Sequence, residues 1–328
     1  MAGRIVVVRA LQLGDMLVAV PALRALRRRF PHAEITLVGL PWAAEFAARF
    51  SAYCDRFAAF PGWPGIPERE FDARRARAFV ARQRRCHYDL AVQLHGSGNC
   101  INPFVLALGA KFVAGYYDDD APPREFTYAK RYPFAGHEID RCLGVVALLG
   151  ADVAERSLEF PLLRVDRAAA EQLLGKARRP RIAIHPGARW RRRRWPAERF
   201  VAAANALARR WNATIILTGG SREARLTRAI AACLDAPAID LGGRTTLGSL
   251  GAVLSSVDLV LTNDTGASHL AVAVGTPSVT VWGDAEISRW APLDAVRHPI
   301  VQERAGARDV PSVRVVAAAS RLLLQEAA

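Results

Sequence analysis

Short runs of Val, Ile and Leu alternate with longer amphipathic stretches, and that alternation starts again near the middle of the chain. In the first half, RIVVVR (4–9), EITLVG (34–39), YDLAVQL (88–94) and KFVAGY (111–116) read as buried strands. ALRALRRRF (22–30) is a helix with Leu23, Leu26 and Phe30 on one face and arginines on the other, and IDRCLGVVALLG (139–150) is a second. The arginine-rich stretch 68–85 reads as an exposed helix. The segment 116–137 carries three prolines and no periodicity, and is expected to be one long loop.

The pattern resumes after 160–180. RIAIHPG (181–187), ATIILTGG (213–220), AIDLGG (238–243), DLVLTND (258–264) and SVTVWG (278–283) are strands. Helices over 196–211, 222–234, 246–257 and 266–275 lie between them, the first opened by Pro196, whose missing N–H does no harm there. Such alternation predicts an α/β chain of two parallel sheets, each covered by helices on both faces. Ligands of such sheets sit beyond the carboxyl ends of the strands. Here those ends fall at Arg9 to Asp15, His95 to Asn99, His185 to Trp195, Thr218 to Glu223, Asn263 to His269 and Gly283 to Trp290.

The chain of 328 residues carries a formal charge of +14, and only three of its 45 basic residues are lysine (Lys111, Lys130 and Lys176). That surplus points to anionic partners, although a codon preference for arginine would also favour Arg over Lys. Five scattered cysteines without a C-x-x-C fit a reducing compartment rather than a disulfide framework or a zinc site. No signal peptide and no apolar run of membrane-spanning length is read. The expectation is a cytoplasmic protein, at most adhering to a membrane surface.

Three strand ends can do chemistry. In TNDTGASHLA (262–271), Asp264 or Thr265 can simply cap the following helix. Alternatively, Gly266 lets an anion approach the helix N-terminus, with Ser268 and His269 in the first turn beside it. In IHPGARWRRRRWP (184–196), four arginines lie between two tryptophans. They form either a solvated loop or, through Arg193 and Arg194, a clamp on a phosphate leaving group. Base stacking on Trp190 and Trp195 ranks lower, since no nucleic-acid motif accompanies them. In RALQLGDMLVAVPAL (9–23), Asp15 is a helix N-cap or a general base. Glu223 of GGSRE either holds a sugar hydroxyl or caps its helix, and the Asp-x-Asp of YDDDAP (117–122) reads as a solvated turn rather than a Mg²⁺ site. Neither a G-x-x-x-x-G-K-[ST] nor a complete G-x-G-x-x-G occurs.

Taken together, RIVVVRALQLGDMLVAVPALRALRRRFPHAEITLVG, IAIHPGARWRRRRWPAERF and DLVLTNDTGASHLAVAVGTPSVTVWG closely resemble the bacterial heptosyltransferases, glycosyltransferases of the lipopolysaccharide inner core. The resemblance implies a GT-B fold, with two Rossmann-like domains facing across a cleft. An acceptor domain is expected over 1–165 and a nucleotide-sugar domain over 166–311, with a last helix near 312–328 returning to the first. The implied reaction is inverting, metal-independent transfer of heptose from ADP-L-glycero-D-manno-heptose to a lipid A–Kdo or heptosylated core, at the inner face of the cytoplasmic membrane. No cofactor and no nucleic acid is expected.

Asp15 matches the family's catalytic aspartate, and Arg193 stands where members typically carry lysine. Donor contacts are carried over to Asp264, Thr265, Gly266, Ser268 and His269, to Arg194, His185 and Gly187 of the arginine loop, and to Glu223. The acceptor would meet Arg9, Gly14 and His95. Two rival classes remain: another nucleotide-sugar enzyme of this fold, such as an epimerase or a different glycan transferase, and a non-enzymatic binder of anionic surfaces driven by charge.

Overall fold

A computed structural model describes residues 2–304 and 306–327, the side chains of 326 and 327 excepted. The chain divides into two compact units, Met1–Leu158 and Glu159–Ala328. The division falls a few residues before the expected 165/166.

In the first unit, β1 (Arg4–Val8), β2 (Glu34–Gly39), β3 (Arg56–Ala59), β4 (Leu90–Gln93), β5 (Phe112–Tyr117) and β6 (Tyr128–Arg131) form one sheet in the order β3-β2-β1-β4-β5-β6. All pairings are parallel, and Val6 of β1 lies between Thr36 of β2 and Ala91 of β4. The helices are α1 (Leu13–Leu17), α2 (Val20–Arg29), α3 (Ala43–Arg49), α4 (Ala73–Arg84), α5 (Asn102–Ala107) and α6 (Glu138–Ala147). Ile5 to Val8 are fully buried, as a central strand covered on both faces requires. Helix α2 buries Leu23 and Leu26 and places Arg27, Arg28 and Arg29 in its last turn, where cations complement the helix dipole.

Strands β3 and β6 lie outside the sequence expectation. β6 runs through the segment expected to be a single loop. Both are four-residue edge strands, and the exposed Arg56, Tyr128, Lys130 and Arg131 give them no apolar alternation to detect. Asp118, Asp119 and Asp120 lie in the exposed or half-exposed turn before β6, and among the described residues no cluster of His, Cys, Asp or Glu could hold a metal ion.

The second unit repeats the plan. β7 (Arg181–His185), β8 (Thr214–Leu217), β9 (Ala238–Asp240), β10 (Leu259–Asn263), β11 (Ser278–Val281) and β12 (Ile300–Val301) order as β12-β11-β10-β7-β8-β9, again all parallel. Its helices are α7 (Arg164–Leu174), α8 (Ala197–Trp211), α9 (Ala224–Ala231), α10 (Leu247–Ser255), α11 (Gly266–Ala273), α12 (Ile287–Trp290) and α13 (Ser312–Ala327). Helix α8 buries Phe200, Ala203, Ala204, Leu207 and Ala208, one stripe at helical spacing, against Ile182, Ile215 and Leu261. It ends at Asn212 in the left-handed conformation, a residue type that tolerates it. The two-residue β12 escapes the sequence reading because it is too short to carry a pattern.

Helix α13 was expected to return to the first unit. It packs instead within the second, against α8 and strands β10, β11 and β12. Val315, Ala318, Ala319, Leu322 and Leu323 are buried in the same core as Phe200 and Val281. Their i, i+3, i+4, i+7 spacing makes one apolar stripe that covers the sheet face over β10, β11 and β12. Among the described residues no helix is long and apolar enough to cross a membrane.

Leu322→Ala is expected to lower the unfolding free energy by about 2–4 kcal/mol, the cost of emptying a well-packed leucine site. Urea denaturation followed through the second unit's tryptophans measures it, and an unchanged midpoint would place α13 outside the core.

Candidate active site

Each sheet reverses its order at one point, between β1 and β4 and between β7 and β10. Loops leaving such a pair diverge to opposite faces and leave a crevice at the carboxyl ends. The chemistry-bearing residues of each unit collect there.

In the first unit the chain leaves β1 at Arg9 and enters α1 over Leu13 to Leu17. Gln12, extended, is the N-cap, and Asp15 stands at the third helical position. The Asp15 carboxylate accepts a hydrogen bond from the Gln12 N–H at 3.2 Å. Asp15 is thus a capping-box acid rather than an N-cap, and it stays half-buried beside Gly14.

Arg9 was expected to touch the acceptor. It is 1% exposed, with its guanidinium donating to the Asp15 carbonyl at 2.7 Å, to the Leu94 carbonyl and to Glu138 at 3.2 Å. A side chain so enclosed cannot reach a ligand, and the acceptor role is withdrawn from it. His95 receives the Ala10 N–H on Nδ1 at 3.2 Å. Burial, with the Arg9 charge adding to it, pulls the His95 pKa down to about 3, so the ring is neutral and its Nδ1 is an acceptor.

In the second unit, Thr265 is the N-cap of α11, its hydroxyl accepting from the Ala267 N–H at 3.1 Å. The Ser268 N–H and Ser268 hydroxyl both go to the Thr265 carbonyl, at 3.0 and 2.7 Å. The cap and the cradle therefore coexist. The cap is satisfied internally, and the Gly266 N–H makes no hydrogen bond among the described residues. Ser268, expected to offer its side chain, is 1% exposed and spends the hydroxyl on its own helix turn. His269 is buried edge-on to Trp290, with ring centroids 6.3 Å apart.

Asp264, 4% exposed, pairs with Arg193 at 3.2 Å, and Asp284 meets Arg193 at 3.3 Å and Arg192 at 2.5 Å. Arg193 ends a single 3₁₀ turn, Arg191–Arg193, and its backbone packs on Gly283, where an added Cβ would lie 3.2 Å from the Arg193 Cα. Two carboxylates thus hold one guanidinium next to the α11 N-terminus. Arg194 turns the other way, its Nε donating to the Ala188 carbonyl at 2.7 Å.

Glu223 accepts from the Gly220 N–H at 2.8 Å, and its carboxylate rests on Gly187, where a Cβ would fall 1.7 Å from Oε1. The Gly187 and Glu223 calls thereby become one contact. His185 is buried, its Nδ1 3.1 Å from the Thr218 hydroxyl and its Nε2 3.8 Å from Glu223. Burial lowers the His185 pKa against the pull of Glu223, and the ring is turned to Thr218 and Glu223 rather than outward.

Two residues that build the site were not singled out from the sequence. Asn263, fully buried, donates to the Pro186 and Gly187 carbonyls at 2.8 and 3.3 Å and accepts the Trp195 N–H at 3.0 Å. It ties both ends of the arginine loop to β10. Asp284 lies at a strand end the sequence did mark, in WGDAE, but an acid there has no spacing that reveals its partner.

Comparison with known proteins places this geometry. The family model described as glycosyltransferase family 9 (heptosyltransferase) matches residues 76–310, well over half of the chain. The lipopolysaccharide core heptosyltransferase OpsX of Haemophilus influenzae is 27% identical over 58% of this chain and 56% of its own length. Lipopolysaccharide heptosyltransferase 3 of Escherichia coli K12 is 23% identical over 96% of both chains. Among solved structures, a family 9 glycosyltransferase from Veillonella parvula superposes with a TM-score of 0.84 at 20% identity, covering 98% of this chain and 97% of that one. ADP-heptose heptosyltransferase II of E. coli gives 0.80 at 20% identity, covering 99% and 100%. These likenesses establish the fold.

Gly187→Ala should cost about 1–3 kcal/mol by driving a Cβ into the Glu223 carboxylate. Adding Glu223→Ala should recover most of that loss in a denaturation cycle, and additive losses would mean the two do not touch. Stability should also fall on mild acidification. His95 and His298, the latter lowered to about 4 by burial, refuse protons in the fold that the unfolded chain accepts below about 6.5. The stability they contribute is complete above that value and declines as the pH drops towards the folded values. Urea midpoints measured between about pH 7 and pH 5 should drop in the wild type and drop less in His298→Asn.

Proposed function

Because the chain belongs to glycosyltransferase family 9, the heptosyltransferases, we propose that it transfers heptose from ADP-L-glycero-D-manno-heptose to a lipopolysaccharide core acceptor, with inversion at the anomeric carbon. Asp15 takes the proton of the acceptor hydroxyl. The freed oxygen forms a bond to the anomeric carbon as the bond from that carbon to the diphosphate oxygen breaks, and ADP leaves with the electron pair. No metal ion is invoked.

The observation that carries this reading is Arg193, fixed by Asp264 and Asp284 beside a helix N-terminus whose Gly266 N–H is unspent. A diphosphate at that point gains a charge-assisted hydrogen bond and the dipole of α11. The two carboxylates reduce the net charge the guanidinium offers, but they hold it in one geometry, and preorganised donors are what a developing negative charge requires. Arginine in this place presents a planar fork rather than the point charge of a lysine, so it can address two phosphate oxygens at once. Glu223, its carboxylate set by Gly187 and the Gly220 N–H, is the group proposed for a sugar or ribose hydroxyl.

The donor accords with what a structural relative binds: E. coli heptosyltransferase WaaC has been solved with ADP and with ADP-2-deoxy-2-fluoro heptose. The acceptor is proposed to be an anionic glycolipid at the inner membrane surface, in keeping with a charge of +14.

Thermal protection by a panel of nucleotide sugars should single out an ADP-heptose, and product analysis should show transfer only when acceptor is present. Turnover of donor alone to a new sugar would turn the reading towards an epimerase. Asp15→Asn should abolish transfer while ADP still binds in calorimetry. Arg193→Ala should weaken ADP binding about tenfold or more, the loss expected when one charged hydrogen bond disappears. Unchanged ADP affinity would detach the arginine loop from the donor.

A further inference from the structure

Arg9, 1% exposed, is the most deeply buried charged side chain among the described residues, and the reaction proposed above gives it nothing to do. Its burial is costly. Replacing a buried ion pair by apolar groups of similar size is often neutral or stabilising, so an enclosed Arg–Glu pair is weak evidence for stability as such. Its position is more telling than its charge. Arg9 continues β1, its N–H bonded to the Val38 carbonyl at 3.0 Å, and its side chain then reaches three separate segments of the first unit. Nε donates to the backbone carbonyl of Asp15 at 2.7 Å. Nη1 donates to the carbonyl of Leu94, just past β4. Nη2 meets Glu138, the first residue of α6, at 3.2 Å.

Glu138 is itself held, its second oxygen 3.4 Å from Arg141, which also donates to the Phe134 carbonyl and lies 5.2 Å from the centre of the Tyr132 ring. A cavity of about 10 Å³, room for one water, is lined by Arg9, Tyr116, Tyr132, Glu138 and Arg141 among others. The packing around it is close: a Cβ on Gly144 would lie 2.3 Å from the Tyr116 hydroxyl.

We infer that the Arg9–Glu138 pair is a positioning device, which fixes the turn carrying Asp15 to the end of β4 and the start of α6 and so aims the Asp15 carboxylate. This inference rests on the assignment of Asp15 as the base. Arg9 acts through the Asp15 backbone and touches no substrate. Among the described residues, the titratable and charged groups tied to the Asp15 turn include Arg9 just beyond β1 and His95 beyond β4, with Glu138 and Arg141 of α6 joined to it through Arg9. Of these, Arg9 is the cation bonded directly to Asp15, through its backbone carbonyl, and His95 is neutral. A fixed positive charge there favours the ionised carboxylate.

The test uses full-length Arg9→Met, Arg9→Lys and Glu138→Gln. Arg9→Met is expected to lower kcat ~100-fold, the size of effect a small misplacement of a catalytic group produces. The KM for the ADP-sugar and the calorimetric affinity for ADP should be unchanged, since both belong to the second unit. The acid limb of the kcat–pH profile should move to higher pH, and Arg9→Lys should restore part of the rate. Glu138→Gln, which preserves shape and removes the anchor's charge, should lower kcat more weakly with the ADP affinity unchanged, and because it leaves the Arg9 charge uncompensated the acid limb should not move to higher pH; its loss of kcat carries the test if Arg9→Met does not fold.

A folded Arg9→Met enzyme with wild-type kcat and an unmoved acid limb overturns the inference. So does a loss confined to acceptor KM, which would make Arg9 a binding group. If the wild type transfers no sugar at all, the functional reading fails by itself. The positioning role is then decided by NMR: amide exchange of residues 10–17 and the titration of the Asp15 carboxyl should both change in Arg9→Met and Glu138→Gln, and unchanged spectra would refute it.

Discussion

The reversal of strand order beside β1 and β7 is the constraint from which the rest of this molecule follows. Parallel strands need crossover helices, and where the direction of winding changes, two neighbouring loops part and leave backbone ends uncovered. Polar groups can be held there without burying them unpaired. Most of what is proposed to do chemistry lies at these two points, Asp15 beyond β1 and Gly187, Arg193 and Thr265 beyond β7 and β10, with Glu223 and Asp284 joining from the ends of the neighbouring strands β8 and β11.

Once the loops are parted, something must hold them, and the two units use different means. In the second, a neutral amide does it. Asn263 bonds to the Pro186 and Gly187 carbonyls and to the Trp195 N–H, so the arginine loop is closed at both ends. The charges of that loop are then free to be arranged by Asp264 and Asp284. In the first unit the closing group is itself charged, Arg9 with Glu138. The difference has a physical consequence. Loss of an amide staple leaves unsatisfied dipoles, whereas loss of one member of a buried ion pair leaves an uncompensated charge, and the latter costs more.

The N-terminus of α11 is both a capped helix end and an anion cradle. Capping uses the Thr265 hydroxyl and carbonyl to satisfy Ala267 and Ser268, and the Gly266 N–H is left over. A helix can be properly capped and still offer a donor to an anion. Ser268 and His185, attractive as ligand contacts in the sequence, are turned inward: Ser268 donates to the Thr265 carbonyl of its own helix turn, and His185 meets the fully buried Thr218 hydroxyl.

The sequence by itself determined the architecture, because the period of its apolar residues is a local property. Runs such as RIVVV and LVLTN, short and rich in Val, Ile and Leu, read as buried strands, and their alternation with helices points to two parallel sheets. It also determined where chemistry would collect, since strand ends are read from the same pattern. Edge strands β3, β6 and β12 lacked that signal, being short and half exposed. What only the tertiary structure decided were the partners. That Arg9 points inward to Glu138, 129 residues away, and that Arg193 meets Asp284 across 91, depends on how loops from non-adjacent segments converge. Where α13 packs, on the face over β10, β11 and β12 beside α8, was likewise decided by tertiary contacts that no residue of that helix encodes alone.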